Sequence, residues 1–150
     1  MRHAKASCLA FDPNAEHQKI VAQHDGYRRL ADPVLHRREI IYERAARQLK
    51  ITDHVICAAP HYVEIFWHFA PDCVITLDGG EAMATRDRGG LKLRWPADLK
   101  AEVVRGRSDP CLGWTSPHLD EKFPSTTLVA WGDITGSWEG TTEILILLEH

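Results

Sequence analysis

A chain of 150 residues suits one domain with a single core, and burying roughly 70% of the unfolded surface is normal at this length. Its 18 basic and 21 acidic residues leave a net charge of -3, which argues against a basic-patch surface for nucleic acid or an anionic membrane. No apolar run approaches the ~20 residues of a membrane helix, and Met1-Arg2-His3-Ala4-Lys5 lacks the apolar stretch of a signal peptide.

Short β-type runs recur along the chain with turn residues between them, the rhythm of a sandwich or barrel. Ile20-Val21-Ala22 precedes the turn-like His24-Asp25-Gly26, and Asp32-Pro33 introduces a strand from Val34 to Tyr42. Glu43 to Lys50 is rich in helix formers, but it has neither a cap residue nor a wide apolar stripe. We therefore expect strand, turn near Arg44 to Ala46, and strand. Val55-Ile56-Cys57 ends in Ala58-Ala59-Pro60, and His61 to Phe69 is the strongest strand candidate, dense in aromatic and β-branched residues. A period of two places Val63, Ile65, Trp67 and Phe69 on a core face, with Tyr62, Glu64, Phe66 and His68 opposite.

Val74 to Leu77 and Ala82 to Thr85 flank Asp78-Gly79-Gly80, and Leu91 to Trp95 alternates after Gly89-Gly90, so this region reads as successive hairpins. Glu102-Val103-Val104 is a further strand, Ser108 to Pro124 a long loop, and Thr126 to Trp131 and Thr141 to Leu147 the last two strands. The expected fold is all-β, an antiparallel, supersandwich-like β-sandwich of about ten strands, in one domain over residues 1–147. Leu148-Glu149-His150 reads as the remnant of an expression tag on a piece of a longer protein. Cys8, Cys57, Cys73 and Cys111 form no C-x-x-C pair and read as free thiols; a pairing on export stays open, and with it the compartment.

His24-Asp25-Gly26-Tyr27-Arg28-Arg29-Leu30, followed by Pro33-Val34-Leu35-His36-Arg37-Arg38-Glu39-Ile40, resembles the C-terminal domain of the heparinase II/III family of polysaccharide lyases. The resemblance continues through Leu49 to Asp53, His61 to Pro71, and Gly113 to Pro117 with Lys122 and Pro124. It implies a β-sandwich that packs on an N-terminal helical toroid of the same parent chain. It also implies an acidic, uronate-containing polysaccharide as partner, cleaved by β-elimination. In that family most catalytic groups come from the toroid, and some members hold a metal near the start of the sandwich. The histidine- and asparagine-containing stretch that would carry those roles has no counterpart here. No catalytic or metal role is therefore placed on a numbered residue, no cofactor is expected in this piece, and a metal is left to the intact parent.

The candidate substrate-binding residues are His36, Arg37, Arg38, Glu64, His68, Tyr27 and Trp114. His36-Arg37-Arg38 joins a titratable ring to two fixed cations suited to a uronate carboxylate; the competing expectation is that an arginine pairs with Glu39, Glu43 or Asp53 across strands. Glu64 and His68 share a strand face about 13 Å apart, too far to bond each other but able to line one groove. Tyr27 can stack on a sugar ring or pack beside its glycine turn. Trp114, like Trp95, Trp131 and Trp138, can join a sugar-binding platform only if exposed, whereas Trp67 belongs to the core face. His61 and His68 fall on opposite faces and cannot share an ion on a regular strand. Without G-x-S-x-G, P-loop or H-E-x-x-H, hydrolase, nucleotide and zincin readings have no support. The leading expectation is a supporting, cleft-lining domain inactive by itself. The alternatives are a carbohydrate-binding module and a purely structural domain.

Overall fold

The computed structural model describes residues 4–13, 16–87 and 89–148. The described residues hold no helix, their sheets are built from antiparallel ladders, and the class is the all-β, sandwich-like one that the turn rhythm implies. Residues 149–150 of the expected tag and Met1 to His3 lie outside the described residues.

Two compact units divide the chain, Met1–Tyr62 with Asp133–Leu145, and Val63–Gly132 with Ile146–His150. The first contains β1 (Ala6–Asp12), β2 (His17–His24), β3 (Leu35–Glu43) and β4 (Gln48–Ile56). These lie side by side in sequence order, and β4 then pairs with the first residues of the last strand, β15 (Trp138–Leu148). Glu43 to Lys50 is strand, turn and strand despite its helix formers, because facing pairs such as Ile40 with Ile51 and Tyr42 with Leu49 reward the extended form. Arg47 closes that turn at φ 52°, the left-handed region. The strand β1 has no counterpart in the sequence reading. Its Ala6-Ser7-Cys8-Leu9-Ala10-Phe11-Asp12 is exposed throughout, and a bulge at Leu9 interrupts its ladder to β2 between Cys8 and Ala10.

The second unit holds most of β5 (His61–His68), then β6 (Val74–Asp78), β7 (Glu81–Arg86), β8 (Gly89–Arg94) and β9 (Lys100–Arg105). Gly79 and Gly80 turn β6 into β7 at φ of 53° and 89°, a reversal that glycines make without steric cost. The stretch expected to be a loop contains two small ladders, β10 (Arg107–Ser108) with β11 (Cys111–Leu112) and β12 (Trp114–Thr115) with β13 (Phe123–Pro124). Two-residue strands give no periodicity to read. The central strand of the sheet β5-β14-β9 is β14 (Thr126–Ile134), and its first five residues are buried.

Burial differs between the units. Ile65, Ala82, Ala84, Leu93, Leu99, Val104, Leu128, Val129 and Ala130 make an apolar core in the second. In the first, β2 and β3 are half-buried almost throughout, and two of the most buried side chains are polar, Asp53 and Thr142.

Candidate functional site

Strand register assembles one polar network in the first unit. His24 of β2 faces His36 of β3, and Arg38 of β3 faces Asp53 of β4. Facing residues of an antiparallel ladder share a side, as do residues two apart, so all four project the same way. Arg37 projects to the other side, where Nη2 donates to Gln23 Oε1 at 3.3 Å. The trio His36, Arg37 and Arg38 is therefore divided between two faces.

Asp53, 2% exposed, is the anchor. Its carboxylate accepts Arg38 Nε at 2.7 Å and Nη2 at 2.9 Å, the two-pronged pairing that suits a guanidinium, and His36 Nε2 at 2.6 Å. Of the three arginine partners foreseen from sequence, Asp53 is the one used. Burial alone would raise the Asp53 carboxyl, but the hydrogen bonds from His36 and Arg38 and their charge hold it below the usual carboxylate range.

The remaining bonds fix a direction of donation. His36 Nε2 faces a carboxylate and carries hydrogen, so its Nδ1 accepts from His24 Nε2 at 3.1 Å, and His24 Nδ1 accepts the Gly26 amide at 3.3 Å. With its Nδ1 accepting the Gly26 amide, the His24 ring in this run is neutral. Burial, then the charge of His36, pushes His24 below its ordinary value, in keeping with a neutral ring. Tyr27, 47% exposed, packs edge-on against His24 with centroids 5.2 Å apart. In this arrangement the ring nitrogens of His24 and His36 are all engaged in hydrogen bonds. Asp53 uses two of the five guanidinium donors of Arg38, whose side chain is 41% exposed.

The other candidates belong to the second unit and take no part in this network. Glu64 and His68 lie with Tyr62 and Phe66 on the exposed face of β5, as the period of two implies. His68 Nδ1 is 2.9 Å from Thr127 Oγ1, and its ring stacks on Phe66. Trp114 is half-buried, its indole N–H donating to the Arg107 carbonyl and Lys122 Nζ sitting 4.0 Å over its ring. All five tryptophans are half-buried rather than fully exposed. A groove of about 480 Å3 lined by Phe69, Cys73, Arg86, Asp87 and Leu91 carries none of the sequence candidates.

A second cluster in the first unit joins residues far apart in sequence. Asp32 Oδ2 accepts the amides of Ala58 at 3.1 Å and Ala59 at 2.9 Å, and the His61 ring Nε2 at 2.9 Å. Cys57 Sγ belongs to the same group, whose ligand atoms lie within 4.8 Å of one another. Sequence spacing did not point to it, because the donors come from the β2–β3 connection and both ends of the β4–β5 connection. In the sequence His24 shows only as the start of the turn-like His24-Asp25-Gly26. The signal that would have placed it in the network is the β2–β3 register around that turn, which sets it opposite His36.

The family described as heparinase II/III-like, C-terminal, matches residues 1–144. Among solved structures, a heparan sulfate lyase HepC from Pedobacter heparinus is 12% identical, with a TM-score of 0.80 over 97% of this chain. A heparinase III described as the BT4657 gene product is 14% identical, with a TM-score of 0.76 over the same share. This chain spans 22% of the length of each. No curated protein sequence matches the chain. At this identity the structural likeness speaks for the fold.

Proposed function

The chain belongs to the heparinase II/III-like family through its C-terminal domain, and from that premise we propose that it lines and supports an acidic-glycan cleft in a polysaccharide lyase. The half-exposed face bearing His24, Tyr27, His36 and Arg38 meets the glycan. The observation that carries this reading is the directed network from Gly26 through His24 and His36 to Asp53. It supplies rigid rings and a guanidinium that keeps donors for a carboxylate, and it leaves no ring nitrogen unengaged to act as a base. The β-elimination itself, which needs a base at the carbon next to a uronate carboxyl, falls to other parts of the parent protein. The half-buried tryptophans weigh against the carbohydrate-binding-module alternative.

Heteronuclear NMR of the labelled chain titrated with uronate-rich oligosaccharides tests this. Shifts are expected to cluster on Tyr27, His36 and Arg38, to fade as salt rises, and to vanish in Arg38→Ala, with no cleavage of the oligosaccharide. A folded spectrum unmoved at millimolar ligand would overturn a glycan-facing role and leave a structural domain.

A further inference from the structure

We propose that Asp32, Cys57 and His61 form a binding site for a zinc-class divalent transition metal, separate from the glycan-facing network. A thiolate, an imidazole and a carboxylate are the donor set that Zn2+ takes, whereas Ca2+ and Mg2+ select oxygen-only cages. Bond lengths near 2.0 Å for N and O and 2.3 Å for S put ligand atoms about 3.3–3.5 Å apart around a tetrahedral ion. The present limit of 4.8 Å closes to that by side-chain movements of about an ångström.

The scaffold is already fixed around the site. The Ala58 and Ala59 amides aim the Asp32 carboxylate. Ser137 Oγ accepts the Cys57 amide at 3.1 Å and donates to the Cys57 carbonyl at 2.9 Å, pinning the backbone that carries the thiol. Asp32, Cys57 and His61 are all half-buried, shielded from bulk water yet reachable. The two connections that supply them are locked together by the same bonds, so the ion would arrive at a nearly formed site.

Without metal, burial and then the Asp32 charge push the Cys57 thiol up. An ion at the centre reverses the balance: Cys57 gives its proton to solvent and binds as thiolate, His61 binds neutral through one ring nitrogen, and Asp32 offsets the ion's charge. Three protein ligands leave a fourth position for water.

The test is Co2+ titration of the 150-residue chain carrying no polyhistidine extension. A thiolate-to-cobalt charge-transfer band should grow to one ion per chain and disappear when Zn2+ displaces it. Cys57→Ser and His61→Ala should lose affinity by more than the roughly 10–100-fold that follows loss of an outer-shell partner. Cys111→Ser, at an exposed thiol of the second unit, should leave the band intact. A second reading needs no variant: in the wild-type chain Zn2+ should slow iodoacetamide labelling of Cys57 relative to the metal-free chain, read by peptide mass spectrometry over time, while labelling of Cys8 and Cys111 is unchanged. Absence of the band together with unprotected Cys57, or a band that survives in folded Cys57→Ser, overturns the proposal.

Discussion

Asp53 binds two donors of different character at once, a fixed cation and a titratable ring. Removing its carboxylate leaves the Arg38 guanidinium and the His36 N–H without an acceptor, so Asp53→Ala should cost about 3 kcal/mol by urea denaturation. A loss below about half a kcal/mol would show that the network contributes nothing to folding. Thr142 gives the opposite expectation. It is fully buried opposite Ile51, and its Oγ1 has no hydrogen-bond partner among the described residues. Thr142→Val keeps the shape and removes the unpaired hydroxyl, which should stabilise the chain by about 1 kcal/mol. The network also predicts pH dependence. His24 is held below 6.5, so the unfolded chain takes up that proton first; its contribution is complete above pH 6.5 and declines as pH falls below it. Asp53 is held below 3.8, so a second loss sets in as pH falls through that value. Denaturation midpoints across pH should show both phases, and His24→Gln should remove the first alone.

Among the elements, the connection joining β11 to β12 is the least forgiving. Gly113 has φ 77°, and a side-chain carbon there would sit 2.7 Å from the Val104 carbonyl oxygen. Its own carbonyl meanwhile accepts the amides of Gly106 and Ser125. Gly113→Ala should cost about 2 kcal/mol or more, whereas Gly136→Ala, with open space around the added carbon, should change little; thermal unfolding of the pair checks this. The hairpins were legible because their signals are local: Gly79-Gly80 between alternating runs, and the alternation of β5 from Tyr62 to His68. The strand β1 was not legible, since Ala6 to Asp12 offers little β-branched character and owes its extended form to pairing with β2. The site was half legible. His36, Arg38 and Asp53 were named from sequence, but which arginine pairs and which faces away follows from register, a long-range property.

At the scale of the whole molecule, a net charge of -3 provides no long-range attraction for an acidic polymer. The proposed glycan contact therefore has to rest on a few local donors, and its affinity should be modest in a chain that spans 22% of the length of the matched structures. The open side of β1 matters for the same reason of exposure. Leu9 and Phe11 are 49% and 69% exposed on a strand that, among the described residues, pairs on one side only, the kind of edge that invites strand addition. The extra residue at Leu9 puts the outward amides and carbonyls out of step. A visiting strand finds no continuous ladder to extend, so the same bulge that spoils the pairing with β2 guards the chain against fibrous self-assembly at high concentration.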